Sequence, residues 1–333
     1  MAKAKSASGK YTPGQFVYPP SRLNTKLVQF VEERETHPGV RWGVRALDQV
    51  MVPIHRGEMA ALCGLPGNGK TTLMAHLARI EAQRIVEREA EDEVVVFVSF
   101  EQSVEEVEAF FAADEEVQVG DIAWARGGVR EALVAKGPER WRQPIWAIGT
   151  SVDDVEAMRT PLTLDVLLEE LRYIREMGHR INLVCIDYVQ IIPVPGVSGK
   201  VERVHDAVVQ LKALAKAAGI PVVMGVQARF EVFSYRAPIP TLRDGQWASG
   251  IGQTVDKFFG IWRPVTTYPK VGMPDHEPVY ILGQPYDVTD TLLVIKMWKQ
   301  RMESPQGTWA LYFDPARMIL EEMECTLNTS LTW

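Results

Sequence analysis

The residues best suited to chemistry form one short glycine-rich stretch, Gly64–Thr71, with the sequence GLPGNGKT. It matches the pattern G-x-x-x-x-G-K-[ST] at every fixed position. Glycines let successive backbone N–H groups approach a phosphate closely. We predict that Lys70 contacts the β- and γ-phosphates of a nucleoside triphosphate and that Thr71 holds Mg²⁺. The residues expected to bind the nucleotide are Gly64, Pro66, Gly67, Asn68, Gly69, Lys70, Thr71 and Thr72.

The flanking segments predict the elements that would hold this loop. Met59–Cys63 is a short apolar run, as expected of a buried strand, and Leu73, Met74, Leu77 and Ile80 recur at helical spacing. The phosphates would then lie at a helix N-terminus, where unpaired N–H groups and the helix dipole favour anions. The alternative is a chance glycine-rich turn, and a strand, a loop and a helix in this order argue against it.

Three polar side chains directly follow predicted strands. Asp187 follows the apolar run INLVCI, where a carboxylate is costly unless a cation such as nucleotide-bound Mg²⁺ compensates it. Glu101 follows EVVVFVSF, and we predict that it orients the attacking water. Gln227 follows PVVMGV and is a candidate sensor of the γ-phosphate. The alternatives are a loop cap for Asp187, a solvated acidic face for Glu101 and its neighbours, and a turn hydrogen bond for Gln227.

Two cations, Lys299 and Arg301, lie at the end of a predicted C-terminal hairpin, before the turn 303–307. Side chains at positions i and i+2 of a strand point to the same side, so the pair can bracket a phosphate. An arginine supplied by a neighbouring subunit would stabilise transition-state charge. By spacing alone, an ordinary basic hairpin end is the better interpretation.

The order of the apolar runs predicts an α/β fold. From Gly39 onward, strands alternate with helices, which indicates a mainly parallel central sheet flanked by helices, and segments 291–296 and 308–313 form a final antiparallel pair. Ligands of such sheets bind at the carboxyl ends of the strands. We predict a disordered tail with a short helix at 1–38, an ATPase domain at 39–322 and a C-terminal tail at 323–333.

Composition limits the class of protein. The 333 residues are 46% hydrophobic. The net charge of −7 argues against a protein that coats nucleic acid through its overall charge, but it does not exclude a local basic groove. Cys63, Cys185 and Cys325 lack metal-ligand spacing and are expected to be reduced packing residues in a cytoplasmic protein. No apolar run approaches the roughly 18 residues of a membrane span, and the polar N-terminus lacks the apolar core of a secretory signal.

The order of these motifs resembles the ATPase domain of DnaB-type replicative helicases, a branch of the RecA-like ATPases. The likeness runs from about Gly39 to Glu322 and includes the segments 186–190 (IDYVQ), 211–216 (LKALAK) and 299–301 (KQR). It implies a homo-oligomeric ring, most often of six, that hydrolyses ATP with Mg²⁺ at subunit interfaces and moves on single-stranded DNA. The catalytic set implied is Lys70, Glu101, Gln227, Lys299 and Arg301, the last two acting on the neighbouring subunit's nucleotide.

Two features differ from that family. The primase-binding N-terminal domain is absent, so coupling to primase is not expected, and a short helix at Leu23–Glu33 stands where the family has its linker helix. That helix could dock on the adjacent subunit. The loop that faces DNA in the family, Asp-Leu-Arg-Glu-Ser-Gly, is replaced by Asp244–Gly250 (DGQWASG).

Candidates for a nucleic-acid channel lie in and near this altered loop. Gln246 can bond a phosphate, and Trp247 can stack on a base or belong to the core. The remaining basic candidates are Arg229, Arg243, Lys200 and Arg203. An insertion at 264–290 looks like a surface loop and suggests no task.

Three functions are compatible with these residues. The first is a ring-forming, ATP-dependent motor on single-stranded DNA with helicase activity. The second is a RecA-like ATP switch that binds DNA or a partner without unwinding, for example as a loader, a recombination mediator or a mobile-element or defence factor. The third, a small-molecule P-loop kinase, predicts a monomer and leaves the Lys299–Arg301 segment without a role.

Overall fold

The computed structural model describes residues 13–14, 17–154, 160–247, 250–303 and 307–323. The predicted N-terminal tail through residue 12, the hairpin turn at 304–306 and the C-terminal tail from residue 324, with Cys325, lie outside the described residues. The chain divides into two compact units, Met1–Pro38 and Gly39–Trp333.

The described part of the first unit is dominated by one helix, α1 (Pro20–Thr36). It extends beyond the predicted Leu23–Glu33 at both ends. Pro20 stands at its first position, where a missing N–H costs nothing and the fixed φ suits a helix. None of its residues is buried, and Leu23, Leu27, Phe30 and Val31 are exposed on it.

The second unit is built on a nine-stranded sheet in the described part of the chain, ordered β11-β10-β9-β6-β1-β5-β4-β2-β3. The strands β1 to β6 are parallel to their neighbours within that group. They span β1 (Met59–Gly64), β2 (Glu93–Ser99), β3 (Ile145–Ile148), β4 (Arg180–Asp187), β5 (Val222–Gln227) and β6 (Lys257–Trp262). The predicted mainly parallel sheet is confirmed.

An antiparallel group extends the sheet beyond β6. It consists of β9 (Leu292–Gln300), β10 (Gly307–Asp314) and β11 (Ile319–Glu322). The predicted final antiparallel pair is therefore present as β9 and β10. The sequence analysis did not predict β11, because its four residues carry only two apolar side chains.

Helices cover both faces of the sheet, as the continuous apolar strands require. They are α2 (Arg45–Asp48), α3 (Lys70–Glu87), α4 (Val104–Ala112), α5 (Val119–Ala123), α6 (Val129–Arg140), α7 (Leu164–Glu176), α8 (Lys200–Ala218) and α9 (Ile251–Thr254). One core cluster joins α3 to the strands through residues such as Leu73 and Phe97. A second cluster joins α7 and α8 to the strands through Leu171 and Leu211. The paired cores hold the strand ends in fixed register.

The insertion at 264–290 is more than the surface loop predicted for it. It contains a two-stranded antiparallel sheet of β7 (Val279–Ile281) and β8 (Gln284–Tyr286). Val279, Ile281 and Val288 are buried in a third cluster with Trp262. The partner that makes this hairpin stable lies outside the insertion, at the end of β6.

No helix in the described ranges is both long enough and apolar enough to cross a membrane. Cys63 and Cys185 are free thiols buried in β1 and β4, and burial raises the pKa of each.

Candidate active site

The predicted nucleotide-site residues form a row along one edge of the sheet. Strands β2, β4, β5 and β1 are successive neighbours and parallel, so their carboxyl ends meet at the same edge. Glu101, Asp187 and Gln227 stand at or just beyond the ends of β2, β4 and β5. The glycine-rich loop leaves β1 at Gly64 and enters α3 at Lys70.

Two glycines give the loop its shape. Gly67 and Gly69 have φ of +72° and +86°, in the left-handed region that favours glycine. A Cβ at Gly69 would lie 2.7 Å from the ring of Phe313, so this position is closed to larger residues. The loop therefore reaches α3 with the helix N-terminus open to an anion, since the first N–H groups of a helix have no acceptor within it.

The ammonium of Lys70 is held by acceptors at the strand ends. Its Nζ donates to the carbonyls of Gly64 and Leu65, each at 3.0 Å, and to Oε1 of Gln227 at 3.1 Å. Burial lowers the pKa of this lysine, and the nearby Asp187 opposes the shift. A desolvated ammonium aimed at the loop is suited to an anionic phosphate.

Thr71 and Asp187 meet directly across the site. The Thr71 hydroxyl donates to Oδ2 of Asp187 at 2.5 Å, and Asp187 is 2% exposed. Burial raises the pKa of Asp187, while the bond from Thr71 and the charge of Lys70 lower it. A buried carboxylate beside a hydroxyl offers the hard oxygen donors that Mg²⁺ prefers, and a cation would offset the cost of burying the charge. The residues present thus fit a magnesium ion.

Glu101 is exposed beside this pair. Ser99 pairs with Asp187 in the β2–β4 register, and the Phe100 N–H donates to the Asp187 carbonyl at 2.9 Å. Burial lowers the pKa of Lys70 and raises that of Asp187, and the charge of Glu101 opposes the first shift and adds to the second. An accessible carboxylate within electrostatic reach of both groups has the position that a water-orienting residue needs.

The side chains of Asn68 and Thr72 are buried and form contacts within the protein. Asn68 is 1% exposed, and its amide donates to the Pro66 carbonyl at 3.2 Å. The Thr72 hydroxyl is buried against Sδ of Met318 at 3.5 Å. Any phosphate contact made by Thr72 would therefore come from its backbone N–H.

Arg263 is a member of the row that sequence analysis missed. Its backbone N–H donates to Oδ1 of Asn68 at 2.7 Å, and its guanidinium donates to the Gly67 carbonyl at 3.1 Å and the Asp290 carbonyl at 2.8 Å. It joins the glycine-rich loop to both ends of the insertion. Arg263 directly follows β6, just as the other polar residues follow their strands, and that position was the available signal.

A buried amide links the nucleotide site to the altered loop. Gln190 is fully buried, accepts the Gln227 N–H at 3.1 Å, and donates to the Gln227 carbonyl at 2.9 Å and the Gln246 carbonyl at 3.4 Å. The Gln246 N–H also donates to the Gln227 carbonyl at 2.8 Å. Gln227 therefore touches Lys70 with its side chain and the altered loop with its backbone.

Lys299 and Arg301 lie at the opposite edge of the sheet from Lys70. Phe258, near the start of β6, pairs with Lys299, whereas Ile261, near its end, pairs with Gly64. Both cations donate to the Gln253 carbonyl, Lys299 at 3.0 Å and Arg301 at 3.1 Å, so they do share one side. The sheet register separates this pair from the nucleotide site of its own chain.

Comparison with known proteins identifies a family for most of the chain. The model of the family described as "DnaB-like helicase C terminal domain" matches residues 39–320. The chain belongs to this family. A search of curated protein sequences gave no match.

Two solved structures are similar in fold to this DnaB-like domain. The first is described as an ATPase domain, with a TM-score of 0.71 and 18% identity, covering 92% of this chain and 100% of that one. The second is a DnaB-like replicative helicase studied with its primase interactions, with a TM-score of 0.69 and 18% identity, covering 90% of this chain and 67% of that one. The family generally comprises ATP-hydrolysing helicases.

In this DnaB-like domain, most predicted channel residues surround a groove of about 610 Å³. Lys200 Nζ lies 4.6 Å from the centre of the half-buried Trp247 ring, which also packs on the second core cluster. Neither Lys200 nor Arg203 is among the residues that line the groove. The lining residues are Val201, Arg229, Phe230, Glu231, Arg243, Gly245, Gln246 and Trp247.

Arg229 lines the groove and is also bonded to the loop through Asp244. Its Nε donates to Oδ1 of the buried Asp244 at 2.9 Å, and the Tyr235 hydroxyl donates to the same oxygen at 2.9 Å. The Arg229 side chain remains 45% exposed. Arg229 can therefore hold the loop in place and still bind an anion.

Proposed function

We propose that this protein is an ATP-dependent, ring-forming motor that moves along single-stranded DNA. The observation that carries this proposal is the division of the predicted ATP machinery between the two edges of one sheet. Lys70, Thr71, Asp187 and Glu101 gather at one edge, whereas Lys299 and Arg301 lie at the other. A complete site would then require two subunits.

Each of the residues near Lys70 would have a separate role in ATP hydrolysis. Lys70 and the N–H groups that begin α3 would bind the phosphates of ATP, and Glu101 would orient the attacking water. Thr71 and Asp187 would hold Mg²⁺, which neutralises charge on the phosphates when bound. Gln227, bonded to Lys70, would report the presence of the γ-phosphate.

The distance between the two edges favours action in trans. The Arg301 N–H donates to the carbonyl of Asp256, so these two residues lie at the same level of the sheet. Gly64 pairs with Ile261, which is five residues after Asp256. At the rise of a strand this separates the two levels by about 16 Å. A guanidinium at that level cannot reach a phosphate held at Lys70 of the same chain. A neighbouring subunit would bring its own Arg301 to this phosphate.

Each site would be connected to the groove by two routes. Within a subunit, Gln190 joins the Gln227 backbone to the Gln246 carbonyl. From the other side, Lys299 and Arg301 donate to carbonyls of α9, which follows the altered loop in the chain. ATP hydrolysis at an interface would thus change contacts at both ends of the loop segment that faces the groove.

The exposed apolar residues of α1 support ring assembly. A helix with no buried residue gains little from folding alone, so Leu23, Leu27, Phe30 and Val31 need a partner surface. We propose that α1 packs on an adjacent subunit of the ring.

Movement on DNA can be tested by displacement of streptavidin from a biotinylated oligonucleotide. The full chain with ATP and Mg²⁺ should displace it, whereas Lys70→Ala and the wild type with a non-hydrolysable analogue should not. Displacement at the same rate without hydrolysis, or hydrolysis without any displacement, would overturn the motor proposal.

A second candidate is a RecA-like switch that binds DNA without unwinding it. The altered loop favours this candidate, because Trp247 is packed on the core and covered by Lys200. A forked duplex separates the two functions, since a switch would hydrolyse ATP on the fork and leave both strands paired.

A further inference from the structure

Phe230, in the wall of the groove, and Phe233, which stacks on it, have no role in the ATP machinery. Phe230 is 62% exposed and Phe233 is 41% exposed, although large aromatic side chains usually bury most of their surface. Their rings are stacked, with centroids 6.2 Å apart and planes at 13°. Both lie on the 3-10 helix Phe230–Ser234, directly after Arg229.

The segment that carries this pair is held in place by packing and by hydrogen bonds. Val232, between the two rings in sequence, is fully buried in the second core cluster. Arg229, on one side of the turn, and Tyr235, on the other, are both bonded to the buried carboxylate of Asp244. Rings held at both ends of their segment lose little freedom when a ligand stacks on them.

The charges around the pair indicate the class of ligand. Arg229 and Arg243 line the same groove, and Lys200 lies over the ring of Trp247, another lining residue. Cations between exposed aromatic faces are typical of surfaces that bind single-stranded nucleic acid, where cations meet phosphates and rings meet bases. Glu231 also lines the groove and would repel a phosphate beside Phe230, which favours an uncharged base at that point.

We propose that Phe230, supported by Phe233, is a stacking platform for an unpaired base of the bound strand. This inference rests on the proposed function, because it gives the groove its ligand. It assigns Phe230 to base contact, and Arg229, Arg243 and Lys200 to the phosphates. The site should accept any base, since every base has a face on which to stack.

The test compares two fluorescent probes of equal length and charge. One is an oligothymidylate and the other carries abasic sites throughout, and each is titrated with the full chain, Mg²⁺ and a non-hydrolysable ATP analogue. Phe230→Ala should weaken oligothymidylate binding about 5- to 150-fold, the range expected for one lost stack, and leave the abasic probe unchanged. Phe230→Trp should restore affinity for oligothymidylate.

A matched control is Tyr280→Ala, which removes another exposed aromatic side chain, 71% accessible, from the insertion hairpin. It should bind both probes like the wild type. An equal loss for both probes with Phe230→Ala, or no loss for either, would overturn the platform. Dissociation of the oligomer by Phe230→Ala would also overturn it, because Phe230 would then be a subunit contact.

The proposed function and the platform fail in different ways. A wild-type chain that binds neither probe and hydrolyses no ATP contradicts both. A wild-type chain that binds oligothymidylate and hydrolyses ATP, together with a Phe230→Ala variant that behaves identically, contradicts the platform alone.

Discussion

Arg301 and Lys70 lie at opposite edges of the same sheet, and each is fixed there by hydrogen bonds to backbone carbonyls. Lys70 donates to Gly64 and Leu65 at the carboxyl end of β1, and Arg301 donates to Gln253 at the end of α9. Arg301 also pairs with the buried carboxylate of Asp256 at 3.2 Å. Two groups that the proposed chemistry needs together are thus kept apart within one chain.

Glu101 provides the first prediction. Glu101→Gln should lower ATP turnover about 10²- to 10⁴-fold, because an amide cannot accept a proton from the attacking water. Affinity for a fluorescent ATP analogue should be unchanged, since Lys70 and the loop remain. Steady-state turnover and equilibrium titration measure the two effects.

Glu105 offers the matched control for that variant. It is close in sequence, but its carboxylate accepts a bond from Ser151, which lowers its pKa to about 2. Glu105→Gln should hydrolyse ATP at the wild-type rate. Equal losses in the two variants would contradict a specific role for Glu101.

The second prediction concerns the link through Gln190. Gln190→Leu keeps the approximate volume but leaves the Gln227 N–H without its acceptor. It should lower the free energy of unfolding by about 1–3 kcal/mol, the cost of an unsatisfied buried polar group. It should also abolish stimulation of ATP hydrolysis by single-stranded DNA while basal hydrolysis persists.

Chemical denaturation and turnover with and without oligonucleotide would measure these effects. Gln83→Leu is a suitable control, because Gln83 bonds only its exposed helical neighbour Glu87 among the contacts described. Full DNA stimulation in a folded Gln190→Leu variant would exclude this route of coupling.

The third prediction is a pH dependence due to His76. This ring is 5% exposed, contacts the Trp42 carbonyl at 2.8 Å and accepts the Leu320 N–H at 3.1 Å. Burial lowers its pKa from 6.5 to about 4. Between these values the unfolded chain binds a proton that the folded chain does not, so stability should fall as the pH falls from 6.5 to 4.

The expected loss from this one group is about 3 kcal/mol across that interval. His76→Gln retains an amide that can donate to the Trp42 carbonyl and cannot titrate, so its free energy of unfolding should depend less on pH by that amount. Denaturant titrations of both proteins between pH 4 and 7 measure the difference. Parallel pH profiles would show that His76 does not contribute.

The residues of the nucleotide site at the carboxyl ends of the strands were largely predictable from sequence, because each of them follows a continuous apolar strand. Once strands and helices alternate, topology alone brings Glu101, Asp187, Gln227 and the glycine-rich loop to one edge. The contact between Thr71 and Asp187 follows from that placement. The paired bonds of Lys299 and Arg301 to Gln253 follow from their i, i+2 spacing.

The remaining features depend on contacts between residues that are distant in sequence. Arg263 resembles any basic residue after a strand until its bond to the Gly67 carbonyl is seen. The β7–β8 hairpin is stable because it packs on Trp262, which no local pattern reveals. Phe230 and Phe233 stack because residues i and i+3 of a 3-10 helix lie above one another, and this helix of five residues is too short to show a periodic pattern in the sequence.

The fourth prediction tests the composite site between subunits most directly, by mixing two inactive variants. Arg301→Ala should bind ATP normally and lose about 10³- to 10⁵-fold in turnover, and Lys70→Ala should also be inactive. In mixed rings, a Lys70→Ala subunit presents an intact Arg301 to the intact pocket of an Arg301→Ala subunit.

ATP turnover of the mixture, measured after dissociation and reassembly, is therefore the decisive quantity. Random mixing at equal amounts should rebuild about a quarter of the interfaces, so turnover should rise far above that of either variant alone. A mixture no more active than its components, in rings shown to contain both variants, would contradict the shared site.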